Sequence, residues 1–215
     1  MTSVMGEVSN MTIVMRAMNS RQRTVRSAAL LFRERGVDGT GLREVVEHAE
    51  APRGSLQHHF PGGKEQLVVE AVAWTAEKAA GPLRATLETT PPPPARQVVA
   101  ELFTRFRRLL TSTDYRAGCP IAAAVVDGGA DRDTVAVATR QAFQHWAAPL
   151  ELALQRGGLS ELRAPRVALL IISSIEGALI MSRARHDMDA LDAVAAEIDL
   201  LLTDGPEPQR TVSQV

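Results

Sequence analysis

Few side chains in this sequence stand in a pattern that covalent chemistry could use. Cys119 is the single cysteine. A thiol hydrolase would need a base such as His145 beside it, a third orienting group and an oxyanion motif, and none accompanies the pair. One cysteine also excludes an internal disulfide and a cysteine-rich metal cluster, which fits a reducing compartment. The sequence therefore predicts neither an enzyme nor a metal or cofactor site. Glu176 interrupts the otherwise apolar run from Val167 to Met181. A buried carboxylate needs a partner, so it could meet a cationic ligand or an arginine such as Arg107 or Arg140, or simply face solvent. The broader pattern is electrostatic. From Arg16 to Lys64 nine Lys/Arg stand against five Asp/Glu, a net +4, while the rest of the 215 residues carries −5. A basic head on an acidic body is what a phosphate-binding module on a carrier shows, although a solvated surface can show it too.

The elements that must position these residues are helices. Hydrophobic residues make up 45% of the chain and aromatics 4%, and apolar positions recur at helical spacing nearly everywhere, so the fold is expected to be all-α. Ser20, a good N-cap type, opens a helix running to Gly36, with Val25, Ala28, Ala29 and Phe32 on one face and Gly36 as its left-handed stop. Leu42, Val45, Val46 and Ala49 mark a second, two-turn helix capped by Gly41, with Glu44 near the positive end of its dipole. Glu50-Ala51-Pro52 makes a corner. Pro52 is expected in the first turn of a third helix that ends near His59. Three helices this short must share one core, drawn from Val25, Ala29, Phe32, Leu42, Val46, Leu56 and Phe60. Two short helices joined by a tight turn and braced by a longer one form the helix-turn-helix pattern. Pro91-Pro92-Pro93-Pro94 breaks a helix and separates two halves. The expected division is a disordered tail over 1–19, a helix-turn-helix domain over 20–66, a second helical domain over 67–203, and a disordered tail over 204–215. The longest purely apolar stretch, Val167 to Ile172, falls short of the roughly 20 residues a bilayer span needs. The first eighteen residues lack a basic start and an apolar block, so no membrane span and a cytoplasmic location are expected.

One segment matches a known family. The run from Thr24 through Ala28-Ala29, Leu31-Phe32, Gly36, Thr40, Arg53-Gly54-Ser55-Leu56, His58-His59-Phe60 and Lys64-Glu65-Gln66-Leu67 resembles the N-terminal domain of TetR-family regulators. Within that family, Ala51-Pro52-Arg53-Gly54-Ser55-Leu56 followed by His58-His59-Phe60-Pro61-Gly62-Gly63-Lys64-Glu65 resembles the LmrA/YxaF-like and QacR-like branch, as does the Gly118-Cys119-Pro120 helix start. The resemblance implies that the third helix enters the major groove of an operator duplex. Arg53 would then take a guanine edge or a phosphate, Ser55 and Gln57 would reach base edges, and Gly54 would allow close approach. Gln57 stands where tyrosine is usual in the family, which bears on operator sequence. His58 is assigned a phosphate and His59 a packing role. Lys64 resembles the family's phosphate-clamping lysine, and Thr40, Leu42 and Arg43 are placed to meet the backbone.

The resemblance also implies an induction pocket in the second half, for which Trp74, Phe103, Phe106, Phe143, Trp146, Glu176 and Met181 are candidates, although an aromatic at helical spacing is also ordinary core. Two final helices, Pro165 to about Arg185 and about Met188 to Leu202, carry the stripes of a four-helix bundle between two copies. Ser174, Gly177 and Ala178 are small enough for close crossing, and Met188, Leu191, Val194, Ile198 and Leu201 supply the apolar stripe. The expected protein is a homodimeric, effector-released repressor; the alternative is an activator or constitutive binder whose second half only dimerises.

Overall fold

A capping box, and not the expected serine, starts the first helix. In the computed structural model, which describes residues 19–52, 54–127 and 133–203, Asn19 Oδ1 accepts the Gln22 N–H at 2.9 Å while Gln22 Oε1 accepts the Asn19 N–H at 3.1 Å. Ser20 is therefore the first helical residue and Asn19 the N-cap of α1 (Ser20–Arg35). The reciprocal pair satisfies two donors that a serine in the first turn could not. Replacing Asn19 with alanine is expected to cost about 1 kcal/mol, read as a lower melting temperature by calorimetry with the fold otherwise intact. Gly36 ends α1 at φ +79° and ψ 168°, a conformation that only glycine adopts easily.

Eight further helices follow among the described residues, and no strand: α2 (Leu42–His48), α3 (Ser55–His59), α4 (Gly63–Leu87), α5 (Ala95–Ser112), α6 (Pro120–Asp127), α7 (Asp133–Arg156), α8 (Ala164–Arg185) and α9 (Asp189–Thr203). The proline run lies between α4 and α5 as its chemistry requires. Pro82 and Pro149, by contrast, sit inside α4 and α7. Pro52 falls three residues before α3, not in its first turn. Its carbonyl accepts both the Ser55 N–H (2.9 Å) and the Ser55 hydroxyl (2.7 Å), closing a turn that delivers the chain to the helix. Both expected tails, up to Met18 and from Asp204 onward, and Arg53 itself lie outside the described residues.

The chain forms two compact units. Of the described residues, the first comprises those up to Thr75 together with those within Cys119–Ala142, and the second Ala76–Gly118 with those from Phe143 onward. The first unit's core contains Val25, Ala28, Ala29 and Phe32 of α1, Val45, Val46 and Ala49 of the α2 region, and Phe60 and Leu67 beyond α3. Leu42 and Leu56, expected in that core, are only half-buried because α2 and α3 are too short to turn a full face inward. The second unit's core contains Phe103, Leu110, Trp146, Leu150, Leu154, Ile171, Ile175 and Leu179. By length and composition alone α8 could cross a membrane, contrary to the reading from its longest uninterrupted apolar run; less than half of its most apolar window is buried inside the chain.

Candidate nucleic-acid interface

Recognition by a helix of five residues requires that something else hold it, because α3 buries none of its own residues. Its approach is fixed from α1: the Arg23 guanidinium donates to the Ala49 carbonyl (3.1 Å) and the Glu50 carbonyl (3.4 Å), the corner between α2 and α3. Its exit is fixed from α4. Gln66 Oε1 accepts the Gly62 N–H at 3.0 Å, and its amide nitrogen donates to Glu70 at 2.9 Å and to the His59 carbonyl at 3.4 Å. Arg21 completes the brace, bonding Glu70 at 2.7 Å and lying 5.5 Å above the centre of the Phe60 ring. Such short charged contacts each contribute modestly. Together they hold both ends of α3 while leaving its outer face to solvent.

On that face Gly54, Gln57 and His58 are exposed, and Ser55 is half-buried with its hydroxyl already donated to Pro52. His59 is half-buried; its ring stands edge-on to His58, centroids 5.0 Å apart, and to Phe60 at 6.4 Å, as its packing role requires. Nothing among the described residues requires glycine at position 54, where φ is −78° and a Cβ would meet open space. Lys64 is the second residue of α4 and half-buried, and Arg43 is exposed on α2 with half-buried Leu42 beside it. Thr40 differs from expectation. It is 1% exposed and its hydroxyl donates to the Gly36 carbonyl at 2.7 Å, so it closes the α1–α2 turn and does not face outward. Arg53, the cation singled out first from the sequence, is outside the described residues. The bracing residues Arg21, Arg23, Gln66 and Glu70 were not singled out from the sequence. Only Gln66, in the resembling run, carried any signal there.

The candidate effector residues divide. Trp74 is half-buried in the first unit. In the second, Phe106 and Phe143 flank Trp146 at centroid distances of 5.9 and 6.5 Å, and Trp146 is 2% exposed. Its indole N–H is buried without an acceptor among the described residues. Phe103 is buried and lines a separate groove of about 310 Å3 between α5 and α9, bordered by the Arg96–Asp199 and Arg107–Asp192 ion pairs. Arg107 is thereby committed to Asp192. Glu176 is half-buried on α8, and Met181 is 54% exposed, on the outer face of that helix. His145 bonds Glu77, which Arg84 and His145 together hold below the usual carboxylate range.

The candidate contact residues of α8 and α9 sort by face. Ala178, Leu191 and Ile198 are buried within the chain, so they belong to its own core; the stripe they share faces inward, where α9 packs on α8 and α5. Ser174, Met188, Val194 and Leu201 are half-buried and Gly177 is exposed. The outward apolar side chains are Leu169, Leu170, Ile180 and Met181 of α8 and Leu200 of α9. An open groove of about 700 Å3 runs between the two helices, lined by Leu170, Ser174, Val194 and Leu201 with Arg163 and Glu197 among its residues.

Comparison with known proteins agrees with this architecture. Residues 25–71 match the tetR family of bacterial regulatory proteins, and residues 94–197 match the C-terminal domain of LmrA/YxaF-like transcriptional regulators. The HTH-type transcriptional regulator Rv0196 of Mycobacterium tuberculosis is 39% identical over 199 residues, covering 88% of this chain and 98% of that protein. The HTH-type regulator LmrA of Bacillus subtilis is 31% identical over 186 residues, covering 86% and 97%. Among solved structures, a TetR transcriptional regulator from Legionella pneumophila superposes with a TM-score of 0.76 at 22% identity, covering 86% of this chain and 97% of that one. A cysteine mutant of the TetR-family regulator CifR, complexed with 26-bp operator DNA, superposes at 0.67 with 23% identity over 83% and 94%. The chain is a transcriptional regulator of the TetR family, of the LmrA/YxaF-like kind, and not an enzyme.

Proposed function

We propose that the protein is an effector-released repressor that binds a two-fold operator as a homodimer. The observation that carries the reading is α3 itself: a helix with no fully buried residue, tied at both ends, that holds Gln57, His58 and Gly54 toward solvent. Such a helix gains little from its own burial, so its fixed orientation serves an outside partner. Arg53 and Lys64 supply phosphate contacts, and Gln57 suits an adenine edge. Two copies set about 34–36 Å apart read two half-sites of one duplex.

The second copy docks on the outer face of α8 and α9. Leu169 and Ile180 are each 67% exposed in the single chain, and Gly177 lies between them on an exposed helix surface where a Cβ would meet open space. A mid-helix glycine costs about 1 kcal/mol relative to alanine. Nothing among the described residues repays that cost; close approach of another helix does. On this reading α8 is a bundle helix, not a membrane span, and the protein works in the cytoplasm.

The effector site is the Phe106–Phe143–Trp146 cluster. Leaving a buried donor unmade costs about 1–3 kcal/mol, so a largely apolar ligand offering one acceptor to the Trp146 indole is favoured there. Release requires only that such a ligand prefer the conformation that does not fit the operator, by a typical coupling of about 1–3 kcal/mol. The test is footprinting on the DNA flanking the protein's own gene. A protected two-fold site is expected, with log affinity falling linearly as log salt rises. Protection of no duplex even at low ionic strength would remove the proposal.

A further inference from the structure

Asp127, the last residue of α6, stands ninety positions beyond the turn it holds. Its Oδ2 accepts the Val37 N–H at 2.6 Å and the Asp38 N–H at 3.2 Å. These two amides follow Gly36 in the turn between α1 and α2, the same turn that Thr40 closes from the other side through the Gly36 carbonyl. The carboxylate also accounts for the glycine a second time. A Cβ on Gly36 would lie 2.6 Å from Asp127 Oδ2, so the oxygen occupies the space that a side chain would fill.

This arrangement does nothing for α6. A carboxylate at a helix C-terminus faces the negative end of the dipole and is unfavourable there. One oxygen shared by two backbone donors is, however, a strong charge-assisted anchor for the turn that receives it. That turn sets where α2 begins, and α2 with its corner sets the approach to α3, which has no buried residue of its own to correct an error. Helix α6 packs along α1 within the same compact unit. We infer that Asp127 is a positioning residue for DNA binding: it anchors the α1–α2 turn and thereby the direction of the recognition helix, making α6 part of the DNA-binding unit despite its place in the second half of the sequence.

The inference rests on the DNA-binding reading, and two independent measurements on the full-length protein separate them. Amide hydrogen exchange reports the anchor without DNA: in Asp127→Ala, exchange at Val37 and Asp38 is expected to accelerate, and in Asp127→Asn, which keeps an oxygen acceptor, to stay close to the parent. Affinity for a duplex carrying the DNA that flanks its own gene reports the consequence. The alanine variant should bind about 10-fold or more weakly, with an unchanged salt slope because no phosphate contact is removed. Asparagine should recover most of that loss, which general destabilisation would not produce. Unchanged exchange at Val37 and Asp38, an alanine variant that binds as tightly as the parent, or a loss that asparagine does not restore would each overturn it. Should the parent bind no duplex at all, the functional reading fails, while the exchange data still judge the anchor.

Discussion

Reversing the charge at Lys64 is expected to abolish operator binding while leaving the protein as stable as before, or more so. Lys64 is the second residue of α4, in the first helical turn. Exposed N–H groups and the positive end of the helix dipole gather there, and a cation is the wrong charge for them. For the helix alone glutamate is better, by about 0.3–1 kcal/mol. The presence of lysine therefore works against local stability and is explained by an anion from outside. A hydrogen bond to a charged group is worth about 1.5–3 kcal/mol. Two copies per dimer make the combined loss about 3–6 kcal/mol, or roughly 10²- to 10⁴-fold in affinity, before the added repulsion of phosphate by glutamate. Calorimetry and a DNA-binding titration on Lys64→Glu read the two halves separately. Affinity within a few fold of the parent would show that Lys64 touches no phosphate; a marked fall in melting temperature would show that its role is structural.

That opposition between local preference and observed residue explains what the sequence made legible. The helices were readable because their apolar spacing is dense: α1 runs from Ser20 to Arg35, against the expected Ser20 to Gly36. The first unit's buried residues Val25, Ala29, Phe32, Val46 and Phe60 were legible for the same reason. The helix starts were less so. Ser20 and Asn19 are both good capping types, and only the position of Gln22 three residues after Asn19 decides between them. Thr40 shows the limit of reading a role from a motif. A threonine at the head of α2 has the chemistry to bond a phosphate, but its hydroxyl has a nearer acceptor in the Gly36 carbonyl, and burial follows.

What the sequence could not show was the direction of each face and any contact made at long range. The stripe Leu191, Val194, Ile198 and Leu201 is real, yet periodicity does not say whether a stripe meets its own chain or another. Leu191 and Ile198 turn inward, and it is Leu200 that stands outside. Met181 was assigned to a pocket for the same want of direction and lies on the outer face of α8. Asp127 carried no signal at all. A lone aspartate at the end of a short helix resembles any solvated charge until the Val37 and Asp38 amides are found beside it.

Placing glutamate at both Leu169 and Ile180 is expected to convert the protein to a folded monomer and to remove tight operator binding, although neither residue contacts DNA in the proposed complex. Each is 67% exposed in the single chain, so the substitution adds polarity where the isolated protomer already meets water and costs that protomer little. In the dimer the same four side chains are covered. Burying a large aliphatic group is worth about 1.5–3 kcal/mol when complete, and roughly half of that is available to residues already one-third covered. The apolar loss is thus about 3–6 kcal/mol across the interface, and carboxylates placed there without partners add a desolvation cost. The dimer dissociation constant should rise by at least about 10²-fold. Operator binding falls with it, because the second half-site is then engaged from free solution and no longer at the high effective concentration of a linked pair. Gly177→Leu gives a second, independent route to the same end. It places a side chain where the single chain has open space and raises helix propensity by up to about 1 kcal/mol, so any loss of dimer reflects the partner and not the helix. Analytical ultracentrifugation of both variants reads the outcome. A dimer that survives all three substitutions places the two-fold contact on some other surface, and the spacing of two recognition helices must then be set elsewhere.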